Sequence, residues 1–209
     1  MKKLSALLII FGLTFLIIGL VILWLIFYPE ITNEIGYRLK PPNSQVSVLL
    51  SSEKPAAGAT IIHPVDENFG IVIPKIGANG RVIADVDPYN AYEYQLALTK
   101  GVAQAKGSAF PGKIGNVFIF SHSSTDLFQA TRYNSIFYLL DKLNKGDDIY
   151  LFYHREKFKY QVTDKKIVEA SEIEYLSGKS PNSTLTLMTC WPPGTSWKRL
   201  VILGEFTAL

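Results

Sequence analysis

The chain has 209 residues, a hydrophobic fraction of 48% and a formal net charge of +3 at pH 7. This length allows one ordinary domain with additional segments. The charge is nearly balanced, and no Lys/Arg block is interleaved with aromatic residues, which argues against a nucleic-acid partner.

Residues 1–28 are predicted to form a cytoplasmic stub and a membrane-spanning helix. From Leu4 to Tyr28 the segment carries no charged side chain, and a helix of that length extends about 37 Å, enough for a bilayer core of about 30 Å. The flanking charges are basic before this run and acidic after it: Lys2, Lys3, Glu30 and Glu34. The positive-inside rule therefore places the N-terminus in the cytoplasm and the rest of the chain outside. A cleaved signal peptide is the alternative, but it would have a shorter apolar core and small residues at the cleavage site.

Residues 29–67 are predicted to form an extracellular linker, because prolines punctuate a Ser/Ala/Asn-rich stretch that lacks a sustained apolar period. Residues 68–209 form the predicted globular domain. Its apolar runs are short and β-branched, and they fall at 70–73, 116–120, 148–153, 158–162, 184–189 and 200–206. The polar turn 154–157 predicts a β-hairpin.

Only two short helices are predicted in this domain, at 89–98 and 135–143. The second has apolar residues at the i, i+3, i+4, i+7 spacing of an amphipathic helix. Many short strands with few helices predict a mostly β domain, folded as a closed or nearly closed barrel.

Cys190 is the only cysteine. It closes the run TLMTC at 186–190, directly before Trp191 and two prolines, which predicts a strand that ends at the thiol. Outside a membrane a lone thiol has no internal disulfide partner, so it is either a small buried hydrophobe or a free reactive group.

A nucleophilic cysteine needs a partner that exchanges protons, usually an imidazole. His63 lies in the predicted linker and His154 in the hairpin turn, whereas His122 directly follows an apolar strand. Arg199 begins the next predicted strand after Cys190 and offers a permanent charge to an oxyanion. Each residue alone has an ordinary structural explanation, but their joint placement predicts His122, Cys190 and Arg199 as catalytic residues.

These segments together resemble the sortases, the membrane-anchored cysteine transpeptidases of bacterial cell surfaces. Residues 186–190 match the TLxTC motif of that family, and Arg199 matches its downstream arginine. Residues 115–122 resemble its GNxxxxGH segment, and residues 107–112 resemble the preceding G[ST]AxPG run. The resemblance covers about residues 69–206.

The chain departs from the family pattern at two positions. Ser121 stands where the family usually has glycine, and Gln104 stands where many sortases carry a second, non-catalytic histidine. The compact domain, with no hydrophobic tail behind it, is similar to the class D and E sortases.

The resemblance implies an eight-stranded sortase-like β-barrel with a few short helices, held outside the cell by a single-pass N-terminal anchor. It implies that Cys190 cleaves an LPxTG-like sorting signal through a thioester, which an amine from a cell-wall precursor or a pilin lysine then resolves. His122 would exchange protons with the two amines, and Arg199 would hold the oxyanion or position the substrate. Thr189 and Trp191 are expected to contact the substrate.

No cofactor or metal is expected. Calcium binds acidic loops in some sortases, and four residues here have the right type without a pattern that indicates a site: Asp85, Asp87, Glu172 and Glu174. Two other functions compete with the sortase interpretation. An L,D-transpeptidase or cell-wall amidase is one, although the first would favour a His-Gly-Cys-x-Arg run around its nucleophile. The other is a catalytically inactive, membrane-tethered barrel that binds cell-wall or pilin peptides.

Overall fold

The structure is a computed structural model that describes residues 2–39, 46–53, 60–123, 136–172 and 180–208. The chain divides into two compact units, Met1–Leu39 and Lys40–Leu209. The helices are α1 (Lys2–Arg38) and α2 (Ala91–Leu98), and single 3-10 turns lie at Pro74–Ile76 and Leu140–Lys142. The strands are β1 (Val46–Val48), β2 (Thr60–Ile62), β3 (Phe69–Ile73), β4 (Ala78–Val86), β5 (Val102–Ala105), β6 (Gly115–Phe120), β7 (Asp148–Tyr153), β8 (Glu156–Glu169), β9 (Ser183–Trp191) and β10 (Lys198–Thr207).

The first unit consists of α1, whose apolar side chains from Ile10 to Trp24 are largely exposed. Taken over the described residues, no helix is both long enough and apolar enough to cross a membrane. The structure therefore does not support the membrane-spanning helix expected at 4–28, although α1 covers those residues.

Eight strands of the second unit close into a barrel in the order β10-β8-β7-β3-β4-β5-β6-β9. The pairs β4–β5 and β6–β9 are parallel, and the other six neighbouring pairs are antiparallel. This confirms the mostly β, eight-stranded barrel that the sequence predicts. The predicted hairpin is also present, because β7 and β8 are joined by a two-residue turn in which His154 and Arg155 both have positive φ, as type I′ hairpins require.

The barrel buries side chains on both faces of part of its wall. Leu185 and Leu187 of β9 are almost fully buried and alternate with Met188, which packs against an apolar cluster on the outside. That cluster lies between α2 and the strands β4, β5 and β6, with Leu98 contributed by the helix and Phe120 by β6. Because α2 lies outside a closed barrel, Met188 faces outward and the two leucines face the interior.

The segments 46–53 and 60–67, together called the strap, cover the outside of β3 and β7. β1 and β2 pair in parallel, and Val48 packs with the buried Val72 and Phe152. The Lys157 ammonium group reaches the strap and donates to the Val48 carbonyl at 3.2 Å and to both Glu53 carboxylate oxygens at 3.0–3.1 Å. This part of the predicted linker is therefore ordered against the barrel, while residues 40–45 and 54–59 lie outside the described residues.

Two other expectations differ from the structure. The amphipathic spacing at 135–143 does not produce an α-helix over the described residues 136–143, which form a turn followed by the 3-10 turn Leu140–Lys142. Phe137, Leu140 and Leu143 are fully buried there. The apolar spacing in this segment therefore reflects the burial of side chains and not the repeat of a helix. The strands β4 and β5 were not predicted, whereas the helix expected at 89–98 is present as α2.

Candidate active site

The parallel pairing of β6 with β9 brings two distant parts of the chain to one end of the barrel. Phe120 is in register with Met188, and the ladder extends one step further because the Ser121 N–H donates to the Met188 carbonyl at 3.2 Å. His122 leaves β6 two positions after Phe120, and Cys190 lies two positions after Met188. The histidine therefore leaves the sheet at the level of the cysteine, and both residues are partly accessible.

Cys190 and Arg199 face each other directly across the antiparallel β9–β10 pair. Directly opposed residues share a face of the sheet, with Cβ atoms about 5 Å apart. Alternation along β9 places Cys190 on the outward face with Met188, beside the apolar cluster under α2. The thiol lies one residue before the strand ends at Trp191, rather than at its last residue as expected.

Thr189 contributes to this arrangement through its side-chain hydroxyl. Its side chain is buried, at 3% exposure, and its hydroxyl donates to the Ser121 carbonyl at 2.9 Å. This bond holds the backbone immediately before His122 against the backbone immediately before Cys190. The hydroxyl of Thr189 thus joins the two strands, and its contact with substrate stays a prediction.

A second set of side-chain hydrogen bonds joins the same two strands nearer their other end. The side-chain oxygen Oδ1 of the buried Asn116 accepts hydrogen bonds from the Thr184 hydroxyl at 3.2 Å and the Thr186 hydroxyl at 3.0 Å. Sequence reasoning found Asn116 only as part of a motif. A polar residue inside the otherwise apolar run 116–120 was the available signal, since a buried amide requires partners.

The Arg199 guanidinium is oriented by the β9–β10 loop. Its Nη1 donates to the Ser196 carbonyl at 3.1 Å and to the Lys198 carbonyl at 3.0 Å. Lys198 also forms an ion pair with Glu169 at 3.0 Å, but both side chains are about half exposed, so solvent weakens that pair.

The other two histidines lie elsewhere. His154 is in the β7–β8 hairpin turn, next to the start of β8, which pairs with the end of β10 through Lys159 and Thr207. Arg199 is at the opposite end of β10, so His154 and the Cys190 site occupy opposite ends of the barrel. His63 belongs to the strap, where its Nδ1 lies 3.1 Å from the Leu49 carbonyl oxygen.

Trp191 follows Cys190, so strand alternation turns its half-buried side chain to the other face of β9. Its contact with substrate stays a prediction. Trp197, in the β9–β10 loop, is 74% exposed and stays available to a ligand. The segment before β9, residues 170–182, falls partly outside the described residues, which omit 173–179.

Gln104 and Ser121, the two residues that depart from the family pattern, differ in their hydrogen bonding. Gln104 is 1% exposed and fully hydrogen-bonded: its side-chain oxygen accepts from the Asp85 N–H, and its nitrogen donates to Ala105 and Ser108. It thereby supports the bulge in β4 where Asp85 adopts a positive φ. The Ser121 hydroxyl is buried and has no hydrogen-bond partner among the described residues.

The acidic residues considered for calcium do not converge where they are described. Asp87 accepts from the Tyr89 N–H and Glu172 from the Glu169 N–H, as local turn bonds. No group of three potential metal ligands occurs among residues 2–39, 46–53, 60–123, 136–172 and 180–208, and Glu174 lies outside them.

The fold and the site together define a β-barrel with a cysteine, an arginine and a histidine converging from three adjacent strands. The sortase-domain family model matches residues 71–207. The chain therefore belongs to the sortase family, whose members are cysteine transpeptidases.

Individual relatives agree with this assignment. The chain is 28% identical over 136 residues to Sortase D of Bacillus subtilis and 27% identical over 135 residues to Sortase A of Listeria monocytogenes. These matches cover 64% and 65% of this chain but only 60% and 54% of the relatives. Among solved structures, Sortase A from Corynebacterium diphtheriae, as a lid mutant, matches with a TM-score of 0.58 and 25% identity over 69% of this chain and 72% of that one.

Proposed function

We propose that this chain is a transpeptidase that cleaves an LPxTG-like sorting signal and transfers the new carboxyl end to an amine. The observation that carries the proposal is the register of three strands. Cys190 opposes Arg199 across β9–β10, and the parallel β6–β9 pair delivers His122 at the level of the thiol.

The reaction balances with these three groups. The Cys190 thiolate attacks the carbonyl carbon of the Thr–Gly bond, and charge develops on the carbonyl oxygen, where the Arg199 guanidinium donates hydrogen bonds. The C–N bond breaks as His122 gives a proton to the leaving amine, which leaves a thioester on Cys190. An incoming amine, from a cell-wall precursor or a pilin lysine, loses a proton to His122 and displaces the thiolate.

The test uses the full chain in detergent with a library of quenched LPxTG-like peptides, with and without a primary-amine acceptor. Since Cys190 is the only cysteine, a thioester adduct seen by intact-mass spectrometry has one possible thiol. We expect an adduct that the amine converts to an amide product, and no adduct with Cys190→Ala. A folded protein whose thiol reacts with iodoacetamide but with no peptide would contradict the proposal and favour the peptide-binding barrel.

Membrane attachment through α1, with the barrel outside the cell, is part of the proposal. Its support is the uncharged run 4–28 with lysines before it and glutamates after it, and the exposed apolar side chains between Ile10 and Trp24. A membrane-impermeant maleimide should label Cys190 in intact cells as strongly as in permeabilised cells. Labelling only after permeabilisation would place the barrel on the cytoplasmic side.

Two finer assignments complete the proposal. A class D or E type is favoured by the compact domain and by the similarity to a Sortase D, and scanning each position of the sorting peptide tests it. We also propose that catalysis needs no metal, since its chemistry is assigned to three side chains. Transpeptidation should be unchanged by a chelator and by added calcium, and a severalfold gain with calcium would refute this assignment.

A further inference from the structure

The orientation of Arg199 depends on a loop residue that has no part in the chemistry. The guanidinium group has five N–H donors, two of them on Nη1. Both acceptors of Nη1 are backbone carbonyls near the end of the β9–β10 loop, those of Ser196 and Lys198. With Nη1 committed to the loop, Nη2 and Nε keep three donors, and the residue that carries them lies opposite Cys190 across β9–β10.

The carbonyl of Ser196 is placed by the turn immediately before it. The Thr195 N–H and the Thr195 hydroxyl both donate to the Pro192 carbonyl, at 3.0 Å and 2.8 Å. Gly194 adopts φ +78°, the left-handed conformation that favours glycine, and Pro193 restricts the backbone before it. The hydroxyl bond therefore closes a turn whose next residue supplies one of the two acceptors for Arg199.

We propose that Thr195 is a positioning residue that holds the Arg199 guanidinium towards the thiol through the Ser196 carbonyl. Its effect on catalysis rests on the proposed function, whereas its effect on Arg199 itself does not. Thr195→Val removes the hydroxyl and keeps the shape of the side chain, and Thr195→Ser restores the hydroxyl.

The first measurement follows Arg199 directly. In full-length protein labelled with ¹⁵N-arginine, the Arg199 side-chain signal is assigned with Arg199→Lys, and rotation of its guanidinium is measured. We expect rotation to accelerate about threefold to tenfold in Thr195→Val, the effect of losing one ordinary hydrogen bond, and to return to the wild-type rate in Thr195→Ser. Unchanged rotation in Thr195→Val would overturn the proposal, even if no peptide substrate is ever found.

The second measurement connects this contact to catalysis. The rate of peptide acylation should fall about threefold to tenfold in Thr195→Val, while alkylation of Cys190 by iodoacetamide stays at the wild-type rate and the Tm falls by no more than a few degrees. In an Arg199→Lys background the same substitution should have no further effect, because interacting residues are non-additive. An equal fall in that background, or a faster acylation in Thr195→Val, would show that Thr195 does not act by holding Arg199 in its working orientation.

Thr99 provides a matched control. Its hydroxyl donates to the Leu96 carbonyl at 2.7 Å, also three residues back, at the end of α2. Thr99→Val removes a bond of the same kind without touching the β9–β10 loop, so Arg199 rotation and acylation should stay unchanged. A loss equal to that of Thr195→Val would mean that any weakened surface turn lowers activity.

Discussion

The wall formed by β6, β9 and β10 and the wall formed by β3 and β7 are opposite sides of one barrel and are covered in different ways. In the first wall, side-chain hydrogen bonds join neighbouring strands, such as the bond from the Thr189 hydroxyl to the Ser121 carbonyl, and Cys190 is partly accessible. The second is sealed by the strap, where Val48 packs on Val72 and Phe152.

This contrast separates the interactions that position side chains from the interactions that stabilise the folded state. A hydroxyl-to-carbonyl bond adds about 1 kcal/mol but restricts geometry to tenths of an ångström, which suits a site where reacting groups must align. Apolar contacts add several kcal/mol without fixing direction. We therefore expect substitutions beside the thiol on the first wall to change activity more than stability, and substitutions under the strap on the second wall to do the reverse.

The two histidines at opposite ends of the barrel give the largest expected difference. His122→Ala should lower kcat/KM for peptide transfer by about 10²–10⁴-fold, since general acid–base catalysis contributes that much, while His154→Ala should leave it unchanged. Both rates are measured with the same quenched peptide and amine. A severe loss in His154→Ala, with the fold intact, would mean that the hairpin end takes part in the reaction.

Phe152→Ala breaks the second wall. Phe152 is fully buried and packs under the strap, so we expect a loss of about 3–5 kcal/mol in the free energy of unfolding. Chemical denaturation measures it, and the activity of the fraction that stays folded should be unaffected. Phe206→Ala is the matched control, because that ring is 43% exposed and should cost clearly less. Equal costs would show that the strap adds nothing to the burial of Phe152.

The strands of the first wall were largely predictable from the sequence, because each contains a short apolar run. The run 186–190 and Arg199 indicate a nucleophile and an oxyanion partner only together with His122, which follows the run 116–120. What the sequence could not show was that β6 and β9 pair in parallel, since more than sixty residues separate them and register depends on the whole barrel.

The strap and the strands β4 and β5 were not predictable, for reasons of length and context, whereas β3 and β7 of the second wall match the predicted runs 70–73 and 148–153. β1 and β2 have three residues each, too few for a periodic signal, and they form because β3 and β7 offer an apolar surface. β4 was missed because Asp85 bulges out of its alternation, and β5 because Gln104 interrupts a four-residue strand. In both strands tertiary burial outweighs local preference.

Thr189→Val tests whether the side-chain hydrogen bonds of the first wall control the position of His122. It removes the bond to the Ser121 carbonyl at nearly constant volume, so we expect about 1 kcal/mol less stability and, from displacement of His122, roughly a tenfold lower kcat. Thr186→Val removes a similar bond to Asn116 at a distance from the thiol. It should lower stability by a similar amount with little change in kcat. If both variants lose kcat equally, these hydrogen bonds stabilise the sheet and have no specific role at the active site.

The smallest expected effect concerns the ion pair that fastens the strap. Burial raises the pKa of the Glu53 carboxyl, but the Leu50 N–H and the Lys157 ammonium outweigh it, so the pKa lies below its ordinary value of 4.5. The folded state thus favours the ionised carboxylate, and its contribution to stability is present above the unfolded-state pKa and lost as pH falls through the lowered folded-state pKa. Because Glu53 is partly exposed, the contribution should stay below about 1 kcal/mol.

Thermal unfolding of wild type and Glu53→Gln at about pH 6 and about pH 3 measures this contribution. The wild type should be the more stable protein at the higher pH, and the difference should shrink as the pH falls. A difference that persists unchanged in acid would assign the contribution of Glu53 to its hydrogen bond with the Leu50 N–H, rather than to its charge.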